Sequence, residues 1–191
     1  MAEVKPLSFD LDEGMLANLR LEFDVDKITT TFAQAISGKS SKEIEAIGRK
    51  LFSEYGQKWA KKARQLRDEH PDRTYEVIIK AIEDTNGYYK FSLLPQSILE
   101  VAYLGVFDMP KIHIVENNYQ RFVYMLEPDE CPVYDLLTKK CSKEVVEALP
   151  CKNACLALLE TLHRDLELDA IISMVSSMPK DGYCQFMAKR A

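Results

Sequence analysis

The longest periodic feature of the chain is a stripe of apolar residues: Ile44, Ile47, Leu51, Tyr55, Trp59, Ala63 and Leu66. Steps of three or four return each side chain to one face of an α-helix. Lys50, Lys58, Lys61, Lys62, Arg64 and Arg67 fill mostly the remaining faces, as a solvated side would require. Ser40 and Glu43 have the spacing of a capping box, which satisfies free amides at a helix start. The pattern predicts a long amphipathic helix over residues 41–69, broken by His70-Pro71-Asp72. Upstream, Leu11, Met15, Leu16, Leu19 and Phe23 give a shorter helical spacing interrupted by Gly14, and residues 37–41 read as a loop.

Beyond the break, residues 75–84 read as a second helix with Val77, Ile78, Ala81 and Ile82 inward, stopped by Asn86-Gly87. The texture then turns to tyrosine, phenylalanine and β-branched residues. Residues 88–94 read as a strand, and 97–107 suit either a buried strand or a short helix. Residues 111–115 and 120–126 read as two strands joined at Glu116-Asn117-Asn118. A short helix is expected over 142–149, and Pro150 suits the first turn of another helix running to about Leu166. Residues 170–176 and 183–190 then form a closing hairpin. This order predicts an α+β fold, with N-terminal helices packed on an antiparallel sheet and a C-terminal helix and hairpin completing it. A single domain over 1–191 is expected, with 1–40 as a peripheral segment.

Composition narrows the function classes. The 191 residues are 47% hydrophobic, enough for one core, and carry a net charge of −5, which disfavours a general nucleic-acid surface. No run approaches the length of a membrane span, and the N-terminus lacks the charged start and apolar core of a secretory signal. A cytoplasmic location is therefore expected. Phosphate-binding glycine loops, HExxH and GxSxG are all missing.

The candidate chemistry is sulfur. All five cysteines, Cys131, Cys141, Cys151, Cys155 and Cys184, fall in the last third of the chain, an odd count that speaks against a disulfide framework. Cys151 and Cys155 are four apart on an expected helix and share a face. Cys184 shares the apolar side of a strand with Phe186 and Ala188, and Cys131 lies just past a strand end. Cys131, Cys151, Cys155 and Cys184 are thus candidate ligands for zinc or an iron–sulfur centre. Alternatively, Cys184 or Cys155 is a nucleophile, with Glu130 or Asp129 as the nearest acid or base in sequence. Core filling by any one thiol is the plain alternative. His163 could approach the cluster but, followed by Arg164 and Asp165, reads as a partly exposed histidine; His70 reads as solvated, and His113 has no evident partner.

Cys131-Pro132-Val133-Tyr134-Asp135, then Cys151 and Cys155 at a helix start, then Asp181-Gly182-Tyr183-Cys184-Gln185-Phe186 resemble the C-terminal signature of the L-2-amino-thiazoline-4-carboxylate hydrolase family. The layout is similar to the vinyl-reductase-type ligand-binding domain, whose α+β fold is shared with subunits of the TRAPP complex and with haem nitric-oxide sensors. Tyr55-Gly56-Gln57-Lys58-Trp59 resembles a helix near the start of those domains. The resemblance implies a cysteine-lined pocket between helix and sheet and, for the hydrolase, opening of a small sulfur- and nitrogen-containing ring by water. Three functions follow as expectations. One is a hydrolase of a C–N or C–S bond. Another is a non-catalytic domain binding a small molecule, metal or tetrapyrrole, with residues 88–107 lining the pocket. The third is an assembly subunit, a homodimer through the 41–69 helix.

Overall fold

The computed structural model describes residues 13–69, 90–106, 112–127 and 131–191. The expected helix over 75–84, His70, Asp129 and Glu130 lie outside the described residues.

The chain begins with helices α1 (Glu13–Glu22), α2 (Val25–Ala35) and the long α3 (Ser41–Glu69). Asp24 caps α2, accepting from the amides of Asp26 at 2.8 Å and Lys27 at 3.1 Å. The capping box of α3 is formed in both directions: the Ser40 amide donates to Glu43 Oε2 at 2.9 Å, and the Glu43 amide to Ser40 Oγ at 3.4 Å. Leu19, Phe23 and Phe32 are buried, so α1, α2 and the link between them contribute to the core. On α3, Phe52, Trp59, Ala60, Ala63 and Leu66 are buried within the chain.

Helix α4 (Lys90–Val106) corrects the strand reading of 88–94 over its described residues, 90–94, and resolves 97–107 as helical as far as Val106. Its apolar run satisfied either state. The helix wins because Ile98, Leu99, Val101, Ala102 and Tyr103 are all buried between α3 and the sheet. Strands β1 (Ile112–Asn117) and β2 (Arg121–Leu126) follow. Their turn is shifted a little from the expected triplet: Asn118 Oδ1 accepts from the amides of Gln120 and Arg121 at 2.8 and 2.9 Å. Helices α5 (Pro132–Lys140), α6 (Lys143–Glu147) and α7 (Lys152–Asp165) lead to β3 (Ala170–Ser176), the short α8 (Met178–Asp181) and β4 (Cys184–Arg190). Helix α5 is absent from the sequence reading, which left Cys131 in a loop; Cys131 is its N-cap.

The four strands form one antiparallel sheet in the order β1-β2-β4-β3. Helices α4 and α7 pack on the sheet and α3 packs on both of them. On the inner face, Phe122, Tyr124, Leu126, Cys184, Phe186 and Ala188 are buried. At both sheet edges a register shift leaves a valine, Val115 or Val175, exposed and out of the ladder, which interrupts pairing at those edges.

Two glycines let α3 and its neighbours approach closely. A Cβ at Gly56 would fall on the Ala154 backbone of α7, and one at Gly48 would stand 2.9 Å from Pro150 Cβ. Among the described residues, no helix is long and apolar enough to cross a membrane.

Candidate functional site

Between α3, the first turns of α5 and α7 and the inner face of the sheet lies a cavity of about 30 Å³. Cys131, Cys151, Cys155 and Cys184 all line it. Three features of local structure place them there. Pro132 supplies the first residue of α5 and leaves Cys131 as N-cap; Cys151 holds the same place on α7, with Cys155 one turn on. The alternation of β4 turns Cys184 inward with Phe186. Close approach at Gly56 then seats the first turn of α7 against α3. Cys141 caps the far end of α5 and is not among the lining residues. The rest of the wall is aromatic and aliphatic, with Phe52, Tyr55 and Trp59 from α3 and Leu126 and Phe186 from the sheet. Ile28, Tyr134 and Lys152 are half-buried.

Burial sets the protonation of this wall. Desolvation pushes the Cys131 thiol from 9.0 up to about 11, although the amides of Tyr134 and Val133 at the α5 N-terminus pull it partly back. Cys155 is raised further by burial, against a hydrogen bond from Tyr103 that favours the thiolate. Burial also raises Cys151 and Cys184. All four are therefore neutral thiols at physiological pH.

Behind the cavity runs a buried hydroxyl chain that the sequence reading missed. Tyr103 Oη donates to Cys155 Sγ at 3.3 Å and lies 3.1 Å from Tyr124 Oη. Either hydroxyl can donate in the second contact. Trp59 packs edge-on to Tyr103 with ring centroids 4.8 Å apart and donates from Nε1 to the Ala102 carbonyl at 2.8 Å. Tyr103 is the link from the 88–107 stretch to the thiols, but no described residue of that stretch lines the cavity itself. No signal in the sequence separated Tyr103 from its apolar neighbours.

His163 is a correction. It is 1% exposed, and its Nδ1 lies 2.8 Å from the Leu159 carbonyl. Both flanks of α7 are covered, by α3 and by the sheet, so the charged residues that follow His163 do not bring it to the surface. It does not line the cavity. His113 stands 3.5 Å from Glu127 Oε1.

A metal centre fits this wall poorly. Among the described residues, no group of three or more His, Cys, Asp or Glu could hold a metal ion. Zinc and iron–sulfur clusters are therefore not assigned. No family model and no curated protein matches this chain.

Proposed function

We propose that this chain is a binding domain for a small, largely apolar molecule seated in the thiol-lined cavity. The chemistry of the wall carries this reading. Aromatic rings and four neutral thiols surround the space, and no carboxylate or imidazole stands among the described lining residues. Such a wall favours transfer of apolar surface out of water, by about 25 cal/mol per Å², and offers neither an ionised nucleophile nor a base. Its 30 Å³ has room for little more than water, so a larger occupant requires side chains of the wall to move aside, among which Ile28, Tyr134 and Lys152 are half-buried.

Hydrolysis of a thiazoline, the activity the resemblance implies, makes further demands. Cys184 or Cys155 would have to ionise against its burial, and a proton acceptor would have to come from outside the described wall.

Trp59 is the only tryptophan and lines the cavity, so its fluorescence reports occupancy directly. Titration with 3-phenylpropan-1-ol is expected to give a saturable change that Cys131→Leu, filling the space from one side, abolishes. A flat titration would overturn the binding reading. Turnover of L-2-amino-thiazoline-4-carboxylate that vanishes in Cys184→Ser would replace it with the hydrolase.

A further inference from the structure

We propose that α2 is a lid over the thiol-lined cavity, held shut by Lys140 of α5. The lid governs access to the cavity, whatever occupies it. A space of about 30 Å³ admits nothing much larger than water, so any reagent that reaches the inner thiols needs part of the wall to move. The walls are not equally fixed. Helix α3 buries Phe52, Trp59, Ala60 and Ala63 along its length, and α7 buries Ala154, Ala157, Leu158 and Leu162. Helix α2 buries only Thr29 and Phe32, and Ile28, its contribution to the cavity wall, is half-buried. Segments with few buried apolar contacts open at the lowest cost, ahead of global unfolding.

What fastens this thin wall is polar. The Lys140 ammonium, at the C-terminal end of α5, donates to Asp26 Oδ1 at 2.6 Å, Thr30 Oγ1 at 2.7 Å, Thr29 Oγ1 at 3.0 Å and the Asp26 carbonyl at 3.1 Å. All four acceptors lie in the first half of α2, the turns that carry Ile28. The Lys140 side chain is 22% exposed and that of Asp26 67%, so Asp26 can part from the lysine into water. Such a half-exposed pair biases α2 towards the closed position and still releases it. The ends of the segment are held differently. Phe32 is buried with its ring 5.2 Å from that of Phe52, and the Phe23 carbonyl accepts from Tyr55 Oη at 2.8 Å. These contacts anchor both ends while the Ile28 turn between them swings away from α5.

The seam that parts is the one between α2 and α5, which pack on each other. Ile28 and Tyr134, one from each helix, both line the cavity and are both half-buried, so the cavity comes near the surface along that seam. Parting it uncovers Cys151 and Cys184, both buried in the closed form.

Modification of the full chain by N-ethylmaleimide, mapped by peptide mass spectrometry over a series of urea concentrations below the unfolding transition, tests the lid. Cys151 and Cys184 should react at a rate that low urea barely changes, the mark of local opening. Lys140→Met and Asp26→Asn should each accelerate both thiols about fivefold with the same weak urea dependence, as loss of a partly exposed ion pair implies. Lys139→Met, which breaks the exposed Lys139–Asp135 pair one residue away, should leave the rate unchanged. Charge alone acts in the opposite sense: the Lys140 cation lowers the Cys141 pKa, so its loss should slow Cys141 while the cavity thiols speed up. Modification of Cys151 and Cys184 that climbs with urea along the global unfolding line, or an unchanged rate in both latch variants, would overturn the lid. Neither result depends on whether Trp59 responds to 3-phenylpropan-1-ol, so the lid and the binding reading fail separately.

Discussion

Replacing Gly56 by alanine adds a single methyl group at the point where α3 crosses α7. In the middle of a helix this change is normally favourable by about 1 kcal/mol, because glycine loses more backbone entropy on ordering. Here the new Cβ would stand 2.9 Å from the Ala154 carbonyl carbon and 3.0 Å from its Cα, with the oxygen nearer still. The obstacle is backbone, so no rotamer change relieves it and the two helices must separate. Overpacking of this kind costs about 3 kcal/mol at the upper end of its usual range. Set against the helix gain, the net loss is about 2 kcal/mol, or roughly 4–8 °C in melting temperature for a chain of this size. Urea unfolding followed by circular dichroism measures it, with an unchanged slope showing that the loss lies in the folded state. Gly48→Ala meets the Pro150 and Phe32 side chains, at 2.9 and 3.3 Å, and should lose less because side chains can give. A Gly56→Ala protein as stable as the parent, or more stable by the helix gain alone, would refute the close crossing and with it the seating of Cys151 and Cys155.

Tyr103→Phe leaves the buried Tyr124 hydroxyl and the Cys155 thiol without their shared partner and should cost about 2 kcal/mol in the same assay; a loss near zero would deny the hydroxyl chain. Because burial raises the Cys131 thiol to about 11, the folded state keeps a proton that the unfolded chain sheds above pH 9.0. Stability should therefore fall between pH 9 and 11 by up to about 1.4 kcal/mol per pH unit for this thiol, with Cys131→Ala flattening the decline. His163 has the opposite sense on the acid side. Its burial depresses the folded pKa below 6.5, so the unfolded chain binds the extra proton and stability is lost as pH falls below that value. Melting curves at pH 7.5 and 5.5 should differ more for the native protein than for His163→Gln.

Much of the architecture was legible because it is written in local periodicity. The α3 stripe, its Ser40–Glu43 cap, the two strands around Asn118 and the alternation of β4 each depend on residues a few positions apart. The four-residue step from Cys151 to Cys155 and the inward side of Cys184 belong to the same class. Helix α4 was misread because a run buried on several sides has no polar face to mark its period. His163 was misjudged because exposure depends on what covers a helix, and α3 and the sheet cover both flanks of α7.

Periodicity can say which way a side chain points, but not what it will meet. Only the folded chain brings Tyr103 to Cys155 across 52 residues of sequence separation and closes α3 onto α7 at Gly56. The sulfur chemistry shows the same division. The residue types are in the sequence, whereas their protonation follows from desolvation, a property of the space around them that arises when distant elements exclude water together.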